Sequence, residues 1–321
     1  MTAARMSDVT THPLLPRKVR FDWSATRAHW IPGDPFSTHF VNVIHLLSPA
    51  FEQWFCHVFR QTLPALDDEA LQAAVKGFIA QEGTHARAHD SALTHMALQG
   101  IDVRPFTRAI EWLCGRLLAD APLGMRWRTP ALERFWLRVR VAIIAGLEHI
   151  TCVLGNWSLN ADFESIDADP TMVDLLRWHG AEEVEHRTVA ADVLDSMGGH
   201  YLLRITTMLL LVVPGFFALW FGGTRFLTRR DPHLVPSAWT WRAIFRNFRR
   251  AGEQERLPSF RYLIGSFARY LVPYHDAGRE GSTRQAVAYL SRSPAAVAAM
   301  QAANASRSRN RERHEDASRI R

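Results

Sequence analysis

Residues 178–186 read Trp178-His179-Gly180-Ala181-Glu182-Glu183-Val184-Glu185-His186, with a Glu-x-x-His step at Glu183 and His186 inside strongly helical sequence. Residues three apart on an α-helix share a face, so a carboxylate and an imidazole at this spacing can reach one cation. The same step occurs earlier, at Glu82 and His85 in Gln81-Glu82-Gly83-Thr84-His85. Each copy has a lone glutamate upstream: Glu52 lies 30 positions before Glu82, and Glu148 lies 35 before Glu183. A single Glu-x-x-His arises readily by chance. Two of them, each preceded by a glutamate at the distance of a helical hairpin, form a dimetal carboxylate pattern.

The hairpins are legible from their turns. The midpoint between Glu52 and Glu82 falls in 63–68, Leu-Pro-Ala-Leu-Asp-Asp, and that between Glu148 and Glu183 falls in 161–170, which closes on Asp169-Pro170. Both read as a turn followed by an Asp N-cap, and the second adds Pro at N1. Equal arms out and back bring each pair of glutamates level. The predicted helices are 36–63, 68–99, 129–160 and 169–197, with a shorter crossover helix over 105–119. Ser48-Pro49 leaves the first either kinked or restarted. Two hairpins joined by one long crossover predict an all-α fold over 36–200, a ferritin-like four-helix bundle with a crossover helix. No βαβ alternation, phosphate-binding glycine loop or nucleophile elbow competes with it.

Of 321 residues, 47% are hydrophobic and 22% charged, which excludes a disordered chain and allows a large helical domain plus an appendage. Three scattered cysteines, Cys56, Cys114 and Cys152, predict buried free thiols and a reducing compartment. Residues 1–35 read as a mostly extended arm, loose over Met1 to Pro16, without the apolar run of a secretory signal. Residues 201–302 predict an additional C-terminal helical region. Within it 205–224 is uncharged and apolar, borderline for a membrane span, and Pro214-Gly215 is expected to break it. Farther on, Trp241, Ile244, Phe245 and Phe248 share one helix face and Arg242, Arg246, Arg249 and Arg250 the other, as in an interfacial amphipathic helix. These segments leave open a cytoplasmic protein, one attached peripherally or integrally to the inner membrane, and two ordinary packing helices. Residues 303–321 predict a disordered, solvated basic tail. The net charge of +6 comes with no nucleic-acid reading motif, so no specific nucleic-acid partner is expected. A homodimer is left open.

The predicted metal ligands are Glu52, Glu82, His85, Glu148, His179, Glu183 and His186. Glu148 ends the apolar run 143–148, where an unpaired buried charge is costly and a bound cation removes the objection. Each metal would take one terminal glutamate, Glu52 or Glu148, and one imidazole, His85 or His186, with Glu82 and Glu183 bridging. His179 shares a face with Glu183 and His186 and serves either as a third imidazole or as a supporting residue. His89 is the expected supporting residue behind His85, with His45 weaker because Pro49 intervenes, and Thr151 stands behind Glu148. His57 and His149 point off the ligand stripe, and Glu182 and Glu185 are expected to face solvent or arginines. Mixed carboxylate and imidazole ligands suit iron or manganese in a redox role and also admit zinc.

On these residues, over about 36–274 and including Tyr270-Leu271-Val272-Pro273-Tyr274-His275, the chain resembles a ferritin-like bacterial family of predicted metal-dependent hydrolases. The His-x-x-x-Glu-x-x-His run at His179, Glu183 and His186 is also similar to the di-iron arylamine N-oxygenases, in which an extra histidine joins the cluster. The ligand pattern and the apolar segment predict a di-iron carboxylate oxidase or oxygenase acting with O2 on a small hydrophobic substrate. The alternative is a dimetal hydrolase using a metal-bound hydroxide. Both need two metal ions, iron foremost, with manganese or zinc admitted.

Overall fold

A computed structural model describes residues 13–319, with side chains as far as Ser308. Among the described residues every regular element is helical, the all-α fold that the sequence predicts. The first hairpin is α1 (Pro35–Thr62) and α2 (Glu69–Leu98). Asp34 caps α1 by accepting from the Ser37 amide, and Asp68 caps α2 by accepting from the Ala70 and Leu71 amides. Pro49 neither breaks nor restarts α1, which runs through it. Gly100, at φ +90°, turns the chain out of α2 into α3 (Arg104–Trp112), and a π-helical turn over Leu113–Leu117 completes the crossover.

The second hairpin is α4 (Pro130–Asn160), capped by Thr129 accepting from the Leu132 amide, and α5 (Pro170–His186), capped by Asp169 accepting from the Met172 amide. Helices α1 and α2 pack together, as do α4 and α5, and contacts of α2 with α5 and of α1 with α4 join the pairs. The helix predicted to reach residue 197 ends instead at His186. A turn at Arg187-Thr188 precedes α6 (Val189–Ser196). There the Arg187 guanidinium donates to the Gly278 carbonyl and the Thr283 hydroxyl, tying the turn to the C-terminal region.

The apolar segment is one helix of 30 residues, Tyr201–Arg230, made of α7 (Tyr201–Thr207), a π-helical turn over Met208–Val212 and α8 (Val213–Arg230). By length and composition it is enough to cross a membrane. Pro214 does not break it, contrary to expectation. The π turn lies immediately before the proline, where its wider i→i+5 bonding accommodates a residue that cannot donate. Four helices follow: α9 (Trp241–Glu253), α10 (Phe260–Tyr270), α11 (Thr283–Leu290) and α12 (Pro294–Arg319). They add to one continuous core that runs from Trp30 and Ile31 through Phe59, Phe78, Ile144 and Val184 to Phe248, Leu263 and Leu290. Helix α12 extends through 303–319 of the 303–321 tail expected to be disordered, because its alanines, arginines and glutamates are good helix formers, and residues 320 and 321 lie outside the described residues. Residues 301–308 are exposed, in keeping with the solvated half of that expectation. Residues 13–34 form the irregular arm; the loose stretch expected from Met1 lies outside the described residues as far as His12. Cys56, Cys114 and Cys152 are buried free thiols.

Candidate metal centre

The two hairpins place all seven predicted ligands in the interior: Glu52 on α1, Glu82 and His85 on α2, Glu148 on α4, and His179, Glu183 and His186 on α5. Two sets of ligand atoms, Glu52 with His85 and His179, and Glu82 with Glu183 and His186, each lie within 4.8 Å of one another. Glu148 Oε2 is 3.1 Å from His186 Nε2, beside the second set. Glu82 Oε1 stands 3.4 Å from both His85 Nδ1 and His186 Nε2. Glu183 reaches the same two rings with different oxygens, Oε1 at 3.5 Å from His85 and Oε2 at 3.3 Å from His186. These two glutamates therefore sit between the sets, as bridging carboxylates would. His179 Nε2 points into the cluster, 2.8 Å from Glu183 Oε1 and 3.7 Å from Glu52 Oε1.

Each imidazole turns one nitrogen toward the carboxylates and is held by the other. His85 Nε2 donates to Glu182 Oε2 at 3.0 Å, leaving Nδ1 on the cluster side. His186 Nδ1 donates to Gln81 Oε1 at 3.1 Å, leaving Nε2. His179 Nδ1 meets His89 Nε2 at 2.8 Å, and His89 Nδ1 meets His45 Nδ1 at 2.7 Å. A cation on His179 Nε2 would place the proton on Nδ1 and so orient the whole chain of imidazoles outward, with His89 donating to His45. Thr151 donates to Glu183 Oε2 at 2.6 Å.

Glu182 faces an arginine, one of the two expected surroundings, but also does more. Besides meeting Arg17 at 2.8 Å, it is fully buried and accepts from His85 and from Trp178 Nε1. The arm covers this face of α5, and nothing in the helical spacing announces that cover. Glu185 meets Arg17 as well and accepts from Gln81, whose adjacency to Glu82 was the one clue to its role. His57 pairs with Asp120 at the surface, and His149 binds the Ser266 carbonyl, both off the ligand cluster as expected.

Packing this many acids together has a direct electrostatic signature. Burial, then the nearby charge of Glu82, pushes the Glu52 carboxyl well above its ordinary range. Burial, then Glu183 and Glu82, raises Glu148 to about 8. Burial opposes protonation of His85 and His186, but carboxylate neighbours outweigh it and raise both. Burial and His179 hold His45 down to about 3. The donor set fits metal ions on a further observation: Glu52 Oε2, both oxygens of Glu82, both of Glu148 and His85 Nδ1 are buried without a hydrogen-bond partner. Orphaned buried oxygens are costly, and a cation would satisfy them together.

Residues 15–277 match the sequence model of a family described as predicted metal-dependent hydrolase. The chain belongs to this family. No curated protein and no solved structure matches it. For a metal-dependent hydrolase family member, two further features bear on the chemistry. A cavity of about 370 Å³ opens against Glu52, His179 and Glu183 and is otherwise walled largely by carbon, including Leu47, Phe51, Leu147, Leu154 and Phe216. The spacing of α4 from α5 beside the cluster is set by Gly155 against Gly180, where a Cβ on either would stand 2.6 Å from the other's Cα. Neither glycine is marked out in the sequence, since nothing local distinguishes them from other helical glycines such as Gly83.

Proposed function

We propose that the protein is a metal-dependent hydrolase that binds two cations among Glu52, Glu82, His85, Glu148, His179, Glu183 and His186 and acts on a small hydrophobic substrate held in the adjoining cavity. The observation that carries this reading is the set of orphaned, buried carboxylate oxygens and inward-facing imidazoles at the cavity's end. Family membership favours hydrolysis over other metal chemistry. Bound cations would supply Lewis acidity and lower the pKa of a coordinated water. The chain's own groups prepare the site. Glu182, Gln81 and His89 keep each imidazole's inner nitrogen aimed at the cluster, Thr151 holds Glu183, and the carbon wall excludes bulk water and orients an apolar substrate. Three buried thiols suit a reducing, cytoplasmic setting.

The test pairs elemental analysis of protein purified without added metal with hydrolysis of p-nitrophenyl esters of graded chain length. Two cations per chain, turnover with zinc in the absence of O2, and loss of both in Glu183→Ala are expected. Full zinc occupancy with no hydrolysis of any ester removes the proposal.

A second reading, a di-iron oxidase or oxygenase, is favoured by the cavity wall. Away from Glu52, Thr151, His179 and Glu183 it offers only Ser48 and Ser158 as polar side chains beside two indoles, so little there would receive a polar head or leaving group. Iron would be its first metal and manganese the alternative. It predicts an optical change when anaerobically iron-loaded protein meets air, O2 consumption with substrate, and no turnover with zinc.

A further inference from the structure

The cavity is not closed at its outer end. Its wall continues from the Glu52 and His179 end to Leu117, Leu210, Leu211 and Pro214, and Leu117, Leu210 and Leu211 are 41%, 67% and 50% exposed. Three of these belong to the helix Tyr201–Arg230, whose most apolar window is only 22% buried. A leucine stripe this exposed on a water-facing helix calls for a partner.

The helix does not suit a simple span. Its C-terminal half packs on α1, with Trp220 Nε1 donating to the Phe40 carbonyl and Gly223 against Val43, so carrying it across a bilayer would drag α1 and its buried histidines along. One face buried and one bare is the arrangement of a helix lying in an interface.

Charge identifies what that interface is. Helix α9 continues the bare face, since Phe221 stacks on Phe245 at 5.0 Å and the Arg225 guanidinium lies 5.2 Å from the Trp241 ring centre. Trp241 and Phe245 are each half exposed, as aromatic residues at a headgroup level are. Between residues 225 and 256 there are eight arginines and three acidic residues; among the described residues only Arg249 and Arg256 form a direct ion pair with a carboxylate, and Arg230 lies within the field of Asp102. Arg225, Arg229 and Arg230 line a cleft with Gly222 and Phe226, beside the apolar stripe.

We propose that this face docks on an anionic lipid bilayer, with the cavity mouth at Leu117, Leu210 and Leu211 turned to the hydrocarbon and the arginine cleft at the headgroups, so that a lipid acyl chain fills the cavity. That the chain is the substrate rests on the proposed metal chemistry; the docking does not.

The full chain is sedimented with vesicles of phosphatidylcholine alone and of phosphatidylcholine mixed with phosphatidylglycerol. The anionic vesicles are expected to carry the protein down, metal-loaded or metal-free, and added salt to release it. Leu210→Asp, and Arg229→Glu combined with Arg230→Glu, should each lower partitioning about tenfold or more while leaving the melting curve unchanged, because these side chains are exposed. In parallel, cis-parinaric acid, a fluorescent fatty acid, should brighten on binding the metal-free protein, and Leu154→Trp should abolish the signal by filling the cavity. No sedimentation with anionic vesicles, undiminished binding by Leu210→Asp, or a stripe covered instead by a second copy that Leu210→Asp releases would overturn the docking. Absence of any parinaric acid signal would overturn the chain-filled cavity. Failure of catalysis with intact vesicle binding would count against the metal reading alone.

Discussion

His89 contacts the candidate ligand His179 from behind, without facing the carboxylates itself. Its Nε2 meets His179 Nδ1 and its Nδ1 meets His45, with burial and His179 keeping its pKa well below the ordinary histidine value. Replacing it with leucine should lower metal affinity about 10–100-fold, and glutamine should restore part of the loss, measured by competition with a chelating dye. An unchanged affinity for His89→Leu would show that His179 needs no support. The acids make a prediction of the opposite kind. Glu148 has a folded pKa of about 8 against an ordinary 4.5, so its contribution to stability is complete below 4.5 and is lost as pH rises toward 8. The upward shifts of Glu52, His85 and His186 act in the same direction. Buried His45, His89 and His179, held below the ordinary histidine value, oppose this trend up to about 6.5. Metal-free protein should therefore melt at progressively lower temperature as pH rises from about 6.5 to 8, and the thermal gain from added metal should grow over the same range. Glu148→Gln should flatten the metal-free profile; a variant profile identical to the wild type would refute the assignment.

At the scale of elements, the decisive contact is the crossing of α4 and α5 at Gly155 and Gly180, seven residues after Glu148 and three before Glu183. A methyl group at either position meets backbone rather than a flexible side chain. Gly180→Ala should cost about 1–3 kcal/mol of stability and move Glu183 away from Glu148. Thermal melting checks the first effect and metal stoichiometry the second; Gly83→Ala, whose Cβ would meet nothing nearer than 3.7 Å, is the matched control. Hairpin lengths, Asp and Thr caps and the ligand stripes were all legible because each is a local pattern within one or two helices. The break after His186 and the intact helix at Pro214 were not, and at Pro49 the choice between a continuous and a restarted α1 stayed open. Each depends on what packs against the helix or on a π turn that sequence period does not reveal.

For the whole molecule, the cluster draws on four helices, α1, α2, α4 and α5, so a bound cation would link both hairpins. Metal should stabilise the native state by mass action, about 2.7 kcal/mol at a free concentration one hundred times Kd. A chelator should lower the melting temperature accordingly, and simultaneous loss of Glu52 and Glu183 should abolish the difference; a melting temperature indifferent to chelator would argue that the cluster holds no metal. The spacing of Glu52, Glu82, His85, Glu148, Glu183 and His186 along the chain was enough to predict helical hairpins and which faces turn inward, because helical periodicity converts sequence separation directly into direction. It did not show that Glu182 is buried beneath Arg17, that Gly155 and Gly180 touch, or that the cavity beside Glu52 opens among bare leucines. Those follow only when segments far apart in the chain are packed together. Burial, orphaned oxygens and the course of a cavity are properties of that packing, and no local pattern encodes them.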